Sequence, residues 1–169
     1  MANQPTQQKT QQRGRQRKLT EYAIQLQEKQ KTRNAYGLRE AQFRRYFNAA
    51  AKFRGQTGTL LLQTLERRID NVLFRAGIAK TRSQARQLVN HRHFKVNGQR
   101  VGIPSILVNE GDIIEPHKKG EVEFYPETMP VEWLKVDKKT AQVKILRLPG
   151  ATDLPIEFDT QKIIEFYSR

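Results

Sequence analysis

Apolar side chains recur every three or four positions along the first half of this chain and alternate with polar ones only beyond residue 93. From Leu19 to Arg33, the residues Leu19, Tyr22, Ala23 and Leu26 fall at helical spacing, and Thr20 stands where a hydroxyl can cap the first turn. A second helix is predicted from Leu38 to Phe53, with Phe43, Tyr46, Phe47, Ala50 and Phe53 assigned to packing. After the Gly55–Gly58 punctuation, Thr57 or Thr59 can open a third helix. Its apolar stripe is Leu61, Leu62, Leu65, Ile69, Val72, Leu73 and Ala76, and Gly77 stands where a left-handed cap is wanted. The run Thr81-Arg82-Ser83-Gln84 is a capping-box pattern and predicts a short fourth helix ending near Asn90, with Ala85, Leu88 and Val89 inward.

The period then changes. Phe94, Val96, Val101 and Ile103 alternate with polar residues on either side of Asn97-Gly98, the strongest short-range signal for a two-residue hairpin. A third strand is expected at Asp112 to Glu115, so two helices, a hairpin and a strand form a unit from about Arg67 to Glu115. Beyond it, short strand-like runs are interrupted by four prolines and end in the apolar set Ile163, Ile164, Phe166 and Tyr167, which should dock on the body. The expected fold class is α+β: a helical body completed by the C-terminal segment, with a small module of two helices and an antiparallel sheet inserted in it. The expected divisions are an arm at 1–18, the body at 19–66, the module at 67–117 and a C-terminal segment at 118–169 that packs back on the body.

Charge turns this outline toward a partner. The chain carries a formal net charge of +14, with 13 lysines and arginines against 3 acids up to Gly58, 9 against 5 from Thr59 to His117, and 9 against 9 thereafter. The positive field belongs to the first two-thirds, and a phosphate backbone supplies the anion that neutralises it with release of counterions. Residues 1–18 have no aliphatic side chain larger than Ala after Met1 and carry Lys9, Arg13, Arg15, Arg17 and Lys18 unopposed, which reads as a disordered basic arm that folds against RNA. With no cysteine, disulfides and thiolate metal sites are excluded. No apolar run reaches the roughly 18 to 20 residues of a membrane span, and none near the start resembles a signal peptide, so an intracellular, soluble setting is expected.

Catalytic chemistry is missing. His91 and His93 would share a strand face, but a metal would need further ligands, and no metal or cofactor is expected. There is no Gly-rich phosphate loop with Lys-Ser/Thr and no G-x-S-x-G elbow. Glu66 and Asp70 lie one turn apart with arginine neighbours, and charge pairing within the helix accounts for them.

LERRIDNVLFRAGIAKTRSQARQLVNHRHFKVNGQRVGIPSILVNEGD closely resembles the RNA-binding module named after the small-subunit ribosomal protein S-four. Upstream, QRGRQRKLTEYAIQLQEKQKTRNAYGLREAQFRRYF is similar to the segment that precedes the module in bacterial members. Downstream, PVEWLKVD and the final IIEFYSR resemble that family's closing motifs. The resemblance implies no enzyme but a structural constituent of the small ribosomal subunit. It implies a primary binder of small-subunit rRNA that organises the five-prime domain junction during assembly and lies near the mRNA entry channel, beside the S-three and S-five proteins. The module's RNA face would be Arg67, Arg68, Asn71 and Arg75, then Thr81, Arg82, Ser83, Arg86 and Gln87, then His91, Arg92, His93, Lys95, Asn97 and Arg100. In the body the candidates are Lys29, Lys31, Arg33, Tyr36, Gln42, Arg44 and Arg45, and in the arm Arg13, Arg15, Arg17 and Lys18. Arg82, Arg86 and Arg92 are expected on the surface.

Such binding does not read a base sequence. A-form RNA hides its major groove, so recognition rests on backbone shape, the two-prime hydroxyl and junction geometry, with arginine forks holding phosphates. Three departures from the family pattern stand out: a shorter N-terminal region, a short stretch between Pro116 and Trp133, and Arg92 where the family often has Gly between the two histidines. Arg92 either adds a phosphate contact or signals a different turn.

Overall fold

The computed structural model describes residues 20–53, 55–118, 124–125 and 131–168. The basic arm, with Arg13, Arg15, Arg17 and Lys18, lies outside the described residues, as do Leu19 and Arg54. The architecture is α+β, as expected. Helices α1 (Glu21–Ala35), α2 (Glu40–Ala51) and α3 (Thr57–Glu66) form the body, and α4 (Ile69–Arg75), α5 (Arg82–Asn90) and a five-stranded antiparallel sheet form the module.

Thr20 caps α1 as predicted, its hydroxyl accepting the Ala23 N–H at 3.3 Å. The inward face is a different one, however. Gln25, Lys29 and Thr32 are buried, while Tyr22 is half exposed. The reason is the partner: the last helix, α6 (Thr160–Tyr167), and the head of α2 present carboxylates to that face. Gln25 Nε2 donates to Glu165 at 3.0 Å, and the Lys29 ammonium meets Glu40 at 2.9 Å while lying 4.7 Å over the Phe166 ring. A polar face can be interior when its donors find acceptors, as the Gln25 amide N–H, the Lys29 ammonium and the Thr32 hydroxyl do, and hydrophobic spacing cannot see it.

In α2, Phe43, Phe47 and Ala50 turn inward and Phe47 stacks on Tyr167 at 4.4 Å between ring centroids. Phe53 was expected to pack but lies past the helix end and is exposed. With Tyr36, Leu38, Leu61, Leu62, Leu65, Phe158 and Ile163 these residues make the body core. Helices α3 and α6 touch at Gly58, where a Cβ would come within 2.5 Å of the Thr160 hydroxyl. Gly→Ala inside a helix is ordinarily stabilising. Here Gly58→Ala is expected to destabilise by about 1 to 3 kcal/mol through overpacking, and an unchanged or raised midpoint in urea denaturation would contradict the contact.

The stripe from Leu61 to Ala76 is two helices, not one. Arg67 and Arg68 interrupt it: Arg68 is extended and bridges to Leu107, the Ile69 N–H goes to the Ile106 carbonyl, and Val108 N–H goes to the Arg67 carbonyl. The loop carrying residues 104–108 therefore takes hydrogen bonds that a continuous helix would keep, and it does so where body becomes module. Glu66 ends one helix and Asp70 begins the next.

In the module, Thr81 accepts the Gln84 N–H at 3.1 Å, while Gln84 Oε1 takes the Lys80 amide, one residue earlier than a capping box requires. Strands β1 (Phe94–Val96) and β2 (Gln99–Val101) form the predicted hairpin, with Asn97 and Gly98 both at positive φ. Strand β3 (Ile113–Pro116) pairs with β1, and then β5 (Gln142–Ile145) and β4 (Leu134–Asp137) extend the sheet in the order β2-β1-β3-β5-β4. The C-terminal segment is thus shared between the two halves. Its strands cover the free edge of β3 and bring Trp133, Leu134, Val143 and Ile145 into the module core, while Leu154, Phe158 and α6 dock on the body. Among the described residues no helix is long and apolar enough to cross a membrane.

Candidate nucleic-acid interface

Where the chain passes from α3 to α4, two buried carboxylates collect the surrounding arginines. Glu66 accepts the Tyr36 hydroxyl at 2.6 Å, Asn71 Nδ2 at 2.9 Å, and Arg75 through Nε at 2.9 Å and Nη2 at 3.0 Å. Asp70 holds Arg68 through Nε at 3.0 Å and Nη2 at 2.6 Å, and Arg86 through Nη2 at 3.0 Å. Arg82 lies between the Tyr36 and Phe74 rings, 4.6 Å from each centroid, and donates to Asn71 Oδ1 at 2.7 Å. Arg86 also donates to the carbonyls of Tyr36 and Gly37. Gly37 sits at φ +58°, a left-handed position that glycine takes without strain, and a Cβ there would stand 2.9 Å from the Arg86 guanidinium. These bonds run across the boundary between the two halves, so the pairing expected within one helix is replaced by a junction network.

Burial shifts the ionisations in this junction. It pushes the Tyr36 phenol far above its ordinary range, with the Glu66 carboxylate adding to the effect, and burial beside Glu40 does the same to Tyr167. Burial also lowers Arg82, whereas for Arg75 the desolvation is more than offset by hydrogen bonds and charge from Glu66. A phenol whose folded pKa is raised stabilises the fold fully below its unfolded pKa of about 10 and loses that stabilisation as the pH rises beyond it. Absorbance titration at 295 nm should therefore leave Tyr36 and Tyr167 un-ionised past pH ~11 in the intact fold, and Tyr36→Phe should lower the un-ionised number by one. Ionisation of every tyrosine near pH 10 would contradict this.

Several candidate RNA-facing side chains are consequently occupied inside the protein. Tyr36, Arg68 and Asn71 are buried, and Arg75, Arg82 and Arg86 are partly buried. Arg82 and Arg86 were expected on the surface, but stacking and carboxylate pairing draw them inward. Lys29 and Arg33 both pair with Glu40, and Lys31 pairs with Glu28 and the Glu157 carbonyl. Arg67 donates to the Val108 carbonyl and Asn109, Asn97 ties the hairpin turn to Asp112 and Ile113, and Thr81 caps α5.

What remains open to solvent forms two adjoining features. The first is a cleft of about 570 Å³ between body and module, lined by Gly37, Arg39, Ala41, Gln42, Arg45, Arg68, Arg86, Asn90, Pro104 and Ser105. Arg39 and Arg45 are exposed on α2 and its approach, with no ion pair among the described residues. Asp70 cannot neutralise both Arg68 and Arg86, so the cleft keeps a net positive wall. The second feature is the outer side of the module: Ser83, Gln87 and Asn90 on one stripe of α5, then His91, Arg92, Lys95 and Arg100. His91 and His93 stack at 6.1 Å. Arg44 is exposed on α2 as well. Among the described residues no cluster of three or more His, Cys, Asp or Glu could hold a metal ion.

Two family models match the chain. "Ribosomal protein S4/S9 N-terminal domain" covers residues 1–66 and "S4 domain" covers residues 67–114. The small ribosomal subunit protein uS4 of Persephonella marina is 53% identical over 165 residues, spanning 92% of this chain and 80% of that protein. The uS4 of a Sulfurihydrogenibium species is 49% identical over 161 residues, spanning 90% and 79%, and that of Aquifex aeolicus is 48% identical over 168 residues, spanning 92% and 79%. The chain belongs to the ribosomal protein S4 family.

The boundary between the two matched regions falls between Glu66 and Arg67, at the break between α3 and α4 and the junction network. The backbone also resolves the departure at Arg92. The end of α5 is a Schellman turn, with the Arg92 amide on the Val89 carbonyl at 2.8 Å and the His93 amide on the Leu88 carbonyl at 3.1 Å. Arg92 occupies its left-handed position at φ +61°. The turn that glycine favours is kept, and a residue with a Cβ takes it at a cost of about 1 kcal/mol or more. Arg39 was absent from the candidate set, although it stands in the same predicted helix as the candidates Arg44 and Arg45, which was the available signal.

Proposed function

We propose that this chain is a structural, rRNA-binding constituent of the small ribosomal subunit, and that it grips RNA through the cleft between its two halves and the adjoining outer side of the module. The observation that carries the reading is the pair of unpartnered cations Arg39 and Arg45 on a cleft whose opposite wall holds Arg86 and Asn90. A groove with cations on both walls fits a phosphate backbone, and hydroxyl and amide groups from Gln42 and Ser105 can take sugar hydroxyls.

In this proposal Arg39, Gln42, Arg44, Arg45, Ser83, Gln87, His91, Arg92, Lys95 and Arg100 face RNA, and the arm at Arg13, Arg15, Arg17 and Lys18 adds charge. Arg68, Arg75, Arg82 and Asn71 act one step back by fixing the angle between body and module. The finer role is organisation of the five-prime domain junction during assembly, near the mRNA entry channel, with the S-three and S-five proteins as neighbours. A rigid pair of RNA-binding surfaces at a fixed angle lowers the entropy of a flexible junction for later binders. Chemical footprinting of naked small-subunit rRNA tests this. Protection clustered at the five-prime junction and surviving moderate salt is expected, whereas diffuse protection that disappears with salt would contradict it.

A further inference from the structure

We propose that Arg92 is a phosphate anchor which this chain holds ready at the end of α5, at the expense of its own stability. The inference rests on the rRNA-binding reading above and adds to it a residue that a glycine in the same turn could not replace.

Three observations converge. Arg92 adopts φ +61° at the left-handed position of the Schellman turn, where a side chain is a strain and glycine is not. Its guanidinium is exposed and makes no hydrogen bond or ion pair with any described residue, so no polar contact of the guanidinium offsets the strain. It is also held beside other cations. The Arg100 Nε–H donates to the Arg92 carbonyl at 2.9 Å, and Arg100 stands directly across the β1–β2 ladder from Lys95. Like charges so placed repel, and Glu115, opposite Lys95 on β3, is the one acid in that ladder row.

The side chain is not loose either. Its stem lies along the backbone at Gly102, where a Cβ would approach Arg92 Cγ to 2.9 Å and Nε to 3.1 Å. The absence of a Cβ at Gly102 gives the arginine a track across the end of β2. A strained backbone position without a partner for its guanidinium, two facing cations with a single acid in their row and a prepared track all become favourable together when a polyanion is present. A fork-shaped guanidinium on a turn whose carbonyl is held by Arg100 suits phosphodiester oxygens of RNA.

The test uses the full chain, small-subunit rRNA, a salt series and thermal melting on wild type, Arg92→Gly and Arg92→Lys. Arg92→Gly should melt about 2 to 4 °C higher because strain is relieved, yet bind rRNA about tenfold more weakly. The slope of log affinity against log salt should shrink by about 0.7 to 0.9, one phosphate contact. Arg92→Lys keeps charge and strain and should keep the wild-type slope. Unchanged affinity and slope in Arg92→Gly would overturn the proposal, and so would a lower melting temperature, which would mark Arg92 as a structural part of the turn. If wild type itself does not bind the rRNA, the rRNA-binding reading fails, a result distinct from wild-type binding that Arg92→Gly leaves intact.

Discussion

Glu66→Ala is expected to destabilise the chain by about 3 to 5 kcal/mol, a large fraction of the 5 to 15 kcal/mol that typically holds a domain folded (roughly). Glu66 is 1% exposed and accepts from Tyr36 of the body and from Asn71 and Arg75 of the module. Removing it leaves the Arg75 guanidinium, already partly desolvated, facing a cavity beside Arg82. An uncompensated buried charge is what makes the loss large. Glu66→Gln sharpens the argument, because the amide keeps the shape and part of the hydrogen bonding but not the charge. It should still destabilise clearly in urea or thermal unfolding. A loss below about 1 kcal/mol for Glu66→Ala would be the size of an exposed pair and would mean that the bonds to Glu66 do little to join the two halves.

Arg39→Ala combined with Arg45→Ala should have the opposite profile. Both side chains are exposed on the cleft and bear no internal load, so stability should change by no more than about 0.5 kcal/mol. Affinity for small-subunit rRNA should fall about 10- to 1,000-fold if each forms one charge-assisted bond of about 1.5 to 3 kcal/mol and the terms do not fully add. The salt slope should fall by about 1.4 to 1.8, two phosphate contacts. Salt-dependent binding isotherms check both quantities. Retained affinity and slope would move the RNA away from the cleft.

The contrast between these variants explains why the candidate site was only partly legible in the sequence. Helix starts and turns are local, so Thr20, Thr81 and Asn97-Gly98 announce their structures correctly. The break at Arg67–Arg68 is not local. It depends on carbonyls and amides from residues 104–108 arriving at that point, and the apolar spacing runs through it undisturbed. Arginines pose the same difficulty in another form. Arg45 and Arg68 are equally basic in sequence, yet one is exposed and the other is 2% exposed between Asp70 and Tyr46. Which arginines are free depends on where two acids sit, and those acids looked like ordinary intrahelical partners until the helix divided between them. The same holds for α1, whose buried Gln25 and Lys29 follow from Glu165 and Glu40, residues that reach it only through the fold.

Arg92 shows the converse. The sequence left open whether it changed the turn or added a contact, and the backbone settles the turn: φ is +61° and the Schellman hydrogen bonds are in place. What the side chain does there becomes a question of binding, not of folding.

The central claim, that RNA lies on the cleft and the outer side of the module, is tested most directly by arginine- and lysine-selective chemical modification of the protein with and without small-subunit rRNA, read by mass spectrometry. Arg39, Arg45, Arg92 and Arg100 should react in the free protein and be protected in the complex. Arg68 should be unreactive in both states, and Lys138 and Lys139, exposed at the turn between β4 and β5, should react in both. Protection of Lys138 and Lys139 with Arg39 and Arg45 still reactive would put the RNA on the far edge of the sheet and contradict the account.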